Sequence, residues 1–170
     1  MENESSVGWI VLQEFWNDPL FDAPGATRPR EEARVSVVLK RRNGSGRKLR
    51  FGAEMESPVS VRPQTWTEFA DDFEIPYGKW ITQEFYVKEG TGNDGRFYMA
   101  VTVDGKKTVL IDKAGPTTST VPGYVPDGQT AWNPIKLYTE GRVPEVFKAA
   151  GKTMDVYWDD LEIWRNKRPE

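Results

Sequence analysis

Lys79 to Lys107, KWITQEFYVKEGTGNDGRFYMAVTVDGKK, holds two runs rich in aromatic and β-branched residues, separated by the polar, glycine-rich segment EGTGNDG. Such runs suit a pleated surface, and the separator suits a turn, so the stretch predicts two antiparallel strands. In the second run Phe97, Met99, Val101 and Val103 alternate with Arg96, Tyr98, Ala100 and Thr102. A strand places alternate side chains on opposite faces, so one set enters a core while Arg96 and Tyr98 point the other way. The Asp-Gly pair that follows, Asp104-Gly105, supplies the positive φ angles of a two-residue hairpin turn, which adds a third strand through TVLIDKAG.

Outward from this stretch the strand pattern repeats. GWIVLQEFWND reads as a central strand with faces Trp9, Val11, Gln13, Phe15 and Ile10, Leu12, Glu14, Trp16. Ala33 to Lys40 and Lys48 to Glu56 read as a hairpin around RNGSG, with Arg34, Ser36 and Val38 on one face and Arg50, Gly52 and Glu54 likewise together. Ser57 to Gly78, which carries Pro58, Pro63 and Pro76, reads as irregular chain pinned by Trp66, Phe69 and Phe73. A proline-rich loop leads to IKLYTEG, a short strand with Lys136 and Tyr138 on one face. VPEVFKAAG is the helical signal, with Pro144 in its first turn and Gly151 at its end. The chain closes on TMDVYWDDLEIWRNK, apolar enough to predict a strand deep in a sheet. Val11, Phe85, Phe97, Val101, Val156 and Leu161 are the expected shared core.

At 170 residues, with no repeat or break in composition, the chain reads as a single domain, residues 1–170, behind a polar leader over 1–7. The absence of His removes Ser-His-Asp triads, His metal sites and the commonest general base, and the absence of Cys removes disulfides and thiolate chemistry. No run reaches the roughly 20 apolar residues of a membrane helix, and MENESSVG lacks the blocks of a signal peptide, so no membrane partner is expected. A net charge of −3 argues against a nucleic-acid partner. The charge is uneven, however. Arg28 to Arg50 holds nine Lys or Arg against Glu31 and Glu32, which offers a polyanion a docking patch or simply protects strand edges from pairing. No cofactor is expected. Asp71-Asp72 and Asp159-Asp160 offer either oxygen ligands to a structural Ca2+ ion or turn caps and ion-pair partners.

Strands of this length, spaced by turns and almost without helix, predict an all-β fold: a two-sheet antiparallel jelly-roll sandwich with one short helix. GKWITQEFYVKEGTGNDGRFYMAVTVDGKK, NPIKLYTEG and VYWDDLEIW together resemble the concanavalin A-like jelly rolls, in particular the branch of polysaccharide lyases acting on glucuronan, alginate and heparin. The resemblance implies a groove on a concave sheet for an acidic polysaccharide, and an extracellular or periplasmic protein. It also carries a general-acid Tyr onto Tyr138, a positive charge onto Lys136 and a carboxylate-neutralising Gln onto Gln13. The His that accompanies this Gln in many such lyases is replaced by Phe15.

Two functional readings follow, with a third beside them. The first is recognition of an acidic polysaccharide, with Trp16 and Tyr98 as aromatic sugar contacts, Arg34 and Arg96 meeting carboxylates, and the protein a monomer. The second is a β-eliminating lyase using Tyr138, Lys136 and Gln13, in which preorganised donors hold the charge built up beside the uronate carboxylate. The third is a structural or interaction module, since a sandwich serves many roles. A glycoside hydrolase is disfavoured, because no strand carries the closely spaced carboxylates that retaining chemistry needs.

Overall fold

A computed structural model describes residues 8–17, 33–41, 49–57, 64–126, 128, 131–139, 142–153 and 155–166. Among the described residues, nine strands and one helix form an all-β sandwich. The strands are β1 (Trp9–Asn17), β2 (Ala33–Arg41), β3 (Leu49–Glu56), β4 (Gln64–Phe69), β5 (Thr82–Lys88), β6 (Arg96–Val103), β7 (Lys106–Ala114), β8 (Ala131–Asn133) and β9 (Tyr138–Thr139), followed by α1 (Arg142–Ala149). One sheet has the order β4-β3-β2-β1-β8, with β9 also paired to β1, and the other has the order β5-β6-β7. All pairings are antiparallel.

The hairpin at the centre of the second sheet follows from its local chemistry. Asp104 and Gly105 take φ values of 50° and 76° between the paired Val103 and Lys106, as the Asp-Gly signal predicts. Phe97, Met99 and Val101 turn inward and are essentially inaccessible, while Phe85 and Val87 of β5 pack beside them. Ile10, Leu12 and Phe15 of β1, Val35 and Val37 of β2, and Phe51, Ala53 and Met55 of β3 meet them from the larger sheet. Phe15 lies edge-on to Phe85 and Phe97, with centroids 5.8 and 6.1 Å away, and closes the two layers at their aromatic centre.

The helix ends as its sequence requires. Gly151 takes φ 63°, its N–H donates to the carbonyl of Lys148 and the N–H of Lys152 donates to that of Phe147, a Schellman arrangement. Val143 and Phe147 reach the core.

Three expectations are corrected. Residues 64–69, within the stretch expected to be irregular, form β4 at the edge of the larger sheet, where Trp66 packs into the core and donates from Nε1 to the carbonyl of Pro116. No proline enters this strand, which pairs with β3 from Gly52↔Phe69 to Glu56↔Gln64 with one register shift between Met55 and Glu56. In β1 the strict alternation fails because the register against β2 shifts between Val11 and Gln13. A bulge there lets Ile10, Leu12 and Phe15 all enter the core, which leaves Val11 buried on the opposite face with Glu14 and Trp16. The terminal VYWDDLEIW has no strand partner among the described residues: Val156 and Leu161, expected in the core, are 40% and 56% exposed. Asp160 within it takes φ 51°.

Candidate functional site

The outer face of the larger sheet is assembled by register. Trp16 pairs with Arg34 and Arg34 with Glu56; Glu14 pairs with Ser36 and Ser36 with Glu54; Val11 pairs with Val38 and with Tyr138. These residues therefore share one face. An ion-pair network forms at its centre.

Glu14 is the hub. Its residue is 1% exposed, and an ionised carboxylate so enclosed needs compensating donors. Three side chains supply them. Trp16 donates from Nε1 to Oε2 at 3.0 Å, Arg34 donates from Nη1 to Oε1 at 3.3 Å, and Lys136 donates from Nζ to Oε2. Arg34 also donates from Nε to Glu56 Oε2 at 2.5 Å, and its guanidinium lies 5.2 Å from the centre of the Trp16 ring. The Lys136 ammonium lies 5.2 Å from the centre of the Tyr138 ring. That ring, on a residue 55% exposed, leans on Trp9 at 5.1 Å. Lys136 is positioned by its backbone as well, since its N–H donates to the carbonyl of Leu12 at 2.9 Å.

The rest of the face follows the same rule of paired charges. Lys40 pairs with Glu54 and Arg50 with Asp71, and the Arg50 guanidinium sits 3.8 Å above the Phe69 ring. Arg50 and Phe69 meet because Gly52 leaves room for the ring; a Cβ at Gly52 would lie 2.4 Å from Phe69 Cδ1.

Arg34, Trp16, Lys136 and Tyr138, all expected from the sequence, thus come together. Gln13 does not join them. It faces the second sheet, 1% exposed, and donates from Nε2 to Gln83 Oε1 at 2.7 Å, while its own Oε1 has no partner among the described residues. Arg96 and Tyr98 lie on the far side of the sandwich, on the outer face of β6. There Arg96 makes two hydrogen bonds of 2.7 Å to Asp112, and Tyr98 lies under Lys107. The hydrogen bond to Asp112 raises the Arg96 guanidinium above its ordinary range, and the same bond holds the Asp112 carboxyl below its own. Trp16 is 6% exposed beneath Arg34, so it supports the site and offers little ring surface to a ligand.

Sequence reasoning missed Glu14 as the centre of this network. An acid between Leu12 and Trp16 in a strand otherwise apolar enough to be central was itself the signal, because a buried carboxylate demands cations on neighbouring strands.

Of the basic stretch from Arg28 to Arg50, residues 28, 30, 42, 47 and 48 lie outside the described residues, as do Glu31 and Glu32. Asp71 is taken by Arg50, and Asp159 Oδ1 accepts from the N–H of Asp160 at 2.9 Å. Among the described residues no acidic cluster has the make-up of a metal site, and no helix is long and apolar enough to cross a membrane. No family model, curated protein or solved structure matches the chain.

Proposed function

We propose that the face built on Glu14 recognises an acidic polysaccharide, as a member of the concanavalin A-like lyase branch that has kept the binding face without the full catalytic set. The observation that carries this reading is the pairing of two cations, held by one buried carboxylate, with a half-exposed Tyr138 ring. Glu14 uses one N–H of the Arg34 guanidinium and one of the Lys136 ammonium. A guanidinium has five N–H donors and an ammonium three, so both retain donors for a uronate carboxylate. The two side chains are 22% and 27% exposed, enough to be reached and too little to wander. Fixing donors before the ligand arrives lowers the ordering cost of binding. Tyr138 offers its ring to the sugar alongside them.

Elimination chemistry is the second reading, favoured by the Lys136 ammonium beside the Tyr138 ring. It requires Lys136 and Arg34 to do what the resemblance assigned to Gln13, which lies on the other side of the sheet. Recognition without turnover therefore stands first. The setting that goes with it is extracellular or periplasmic.

The test is retention on immobilised uronate and neutral polysaccharides at rising salt, with absorbance of the unsaturated product followed in parallel. Binding that prefers the uronate polymers and weakens with salt is expected, without product. Equal, salt-insensitive retention on neutral polymers contradicts the reading. If product appears, Tyr138→Phe abolishes it while retaining the ring and nearly all binding.

A further inference from the structure

The segment that carries Lys136 and Tyr138 runs antiparallel along β1, from Ala131 opposite Trp16 to Thr139 opposite Ile10. Among the described strands, β8 and β9 pair with β1 alone. Their ladder is short, three paired positions in β8 and two in β9, and between them the Lys136 N–H donates to the Leu12 carbonyl. Pro134, in the same gap, has no N–H to add. So short a ladder at the edge of a sheet opens easily unless its ends are tied.

The end before β8 is tied. Asn17, the last residue of β1, is fully enclosed, and both N–H groups and the oxygen of its amide are engaged. Nδ2 donates to Glu89 Oε1 at 2.6 Å and to the carbonyl of Gly128 at 2.9 Å, while Oδ1 accepts from the Tyr124 hydroxyl at 2.6 Å. Glu89 Oε2 accepts in turn from the Gly128 N–H. One amide and one carboxylate thus hold Gly128 by both of its backbone groups. The start of the same loop is fixed to the neighbours of Glu89: Thr117 donates from Oγ1 to the Lys88 carbonyl at 2.7 Å and from its N–H to the Gly90 carbonyl at 2.9 Å. A buried polar group satisfied in this way specifies one arrangement, because any other leaves it without partners where water does not reach.

We propose that Asn17 and Glu89 are positioning residues of the glycan face: they clasp the chain at Gly128 and so fix the register in which the following segment delivers Lys136 and Tyr138 to Glu14. The proposal rests on the glycan reading above, in which donors fixed beforehand lower the ordering cost of binding. Asn17 acts without touching the ligand, since it has no surface to offer. Glu89 directly follows β5, so the clasp also joins the ends of the two sheets.

The test uses the matching shapes of Asn and Asp and of Glu and Gln. Asn17→Asp sets two carboxylates against each other and removes the donors to Glu89 and Gly128. Adding Glu89→Gln restores a donor and an acceptor of the same size with their roles exchanged. In Asn17→Asp the Lys136 amide is expected to exchange hydrogen at least about tenfold faster, and affinity for a glucuronate oligosaccharide to fall about tenfold. Both recover in large part in Asn17→Asp/Glu89→Gln. Protected amides in β2 and β3 check that each variant folds, and Tyr124→Phe, which removes one hydrogen bond, moves both readouts in the same direction by less. A general loss of stability instead speeds exchange across the core. An unchanged Lys136 amide in Asn17→Asp, or an affinity loss that Glu89→Gln does not reverse, overturns the proposal. If the parent binds no oligosaccharide, the glycan reading fails, and the exchange rates alone uphold or overturn the clasp.

Discussion

Glu14 shows how a single residue orders a surface. Its carboxylate sits where water cannot compensate it, so Arg34, Lys136 and Trp16 must, and their positions follow from that need. Removing one partner of a buried pair leaves the other charges poorly matched. Glu14→Ala is therefore expected to cost roughly 3 kcal/mol, with the two cations' partial solvation keeping the loss toward the low end; denaturant unfolding checks it. The Arg96–Asp112 pair is the opposite case, with both side chains more than 40% exposed. Asp112's depressed carboxyl value contributes stability above its unfolded-state value, and that contribution is lost as pH falls through the folded one. Solvent screening keeps it small. Asp112→Asn is accordingly expected to lower the melting temperature slightly at neutral pH, with the difference from the parent vanishing in strongly acidic solution.

Elements were legible where the deciding chemistry is local. Asp104-Gly105 fixes the β6–β7 turn and Gly151 ends α1 because both sites need a positive φ that few residues supply. The shared face of Arg34, Ser36 and Val38 follows from period-two alternation over a regular run; Lys136 and Tyr138 also share a face, although in IKLYTEG, expected as a strand, the described strand is Tyr138–Thr139 alone. Elements decided by a partner were not legible. The bulge in β1 is a property of its register against β2, and it turns Gln13 inward and Glu14 outward, which rearranges the candidate site. β4 is a strand because β3 offers it an edge, and the closing segment has no ladder among the described residues in spite of its composition. Close approach between strands gives a sharp test. At Gly52 an added Cβ meets the Phe69 ring at 2.4 Å and the carbonyl oxygen of Glu68 at 3.0 Å. Gly52→Ala is expected to destabilise by about 1–3 kcal/mol and to displace Phe69 from beneath Arg50, both visible by thermal unfolding and by the ring's NMR shifts.

Across the whole molecule, charge is arranged by layer. The outer face of the six-stranded sheet carries Arg34, Lys40, Arg50 and Lys136, each tied to an acid, and the outer face of the second sheet carries the Arg96–Asp112 and Lys107–Glu84 pairs. Among the described residues neither face is a bare basic patch. What distinguishes the first face is a buried anchor that fixes two cations beside an accessible ring. The most direct test is calorimetric titration of a glucuronate oligosaccharide into the parent protein, Lys136→Met and Arg96→Ala. Losing a charge-assisted hydrogen bond costs about tenfold or more in affinity, so Lys136→Met is expected to weaken binding by that factor while Arg96→Ala leaves it unchanged. Affinity lost in Arg96→Ala and retained in Lys136→Met would place recognition on the other side of the sandwich and contradict the account.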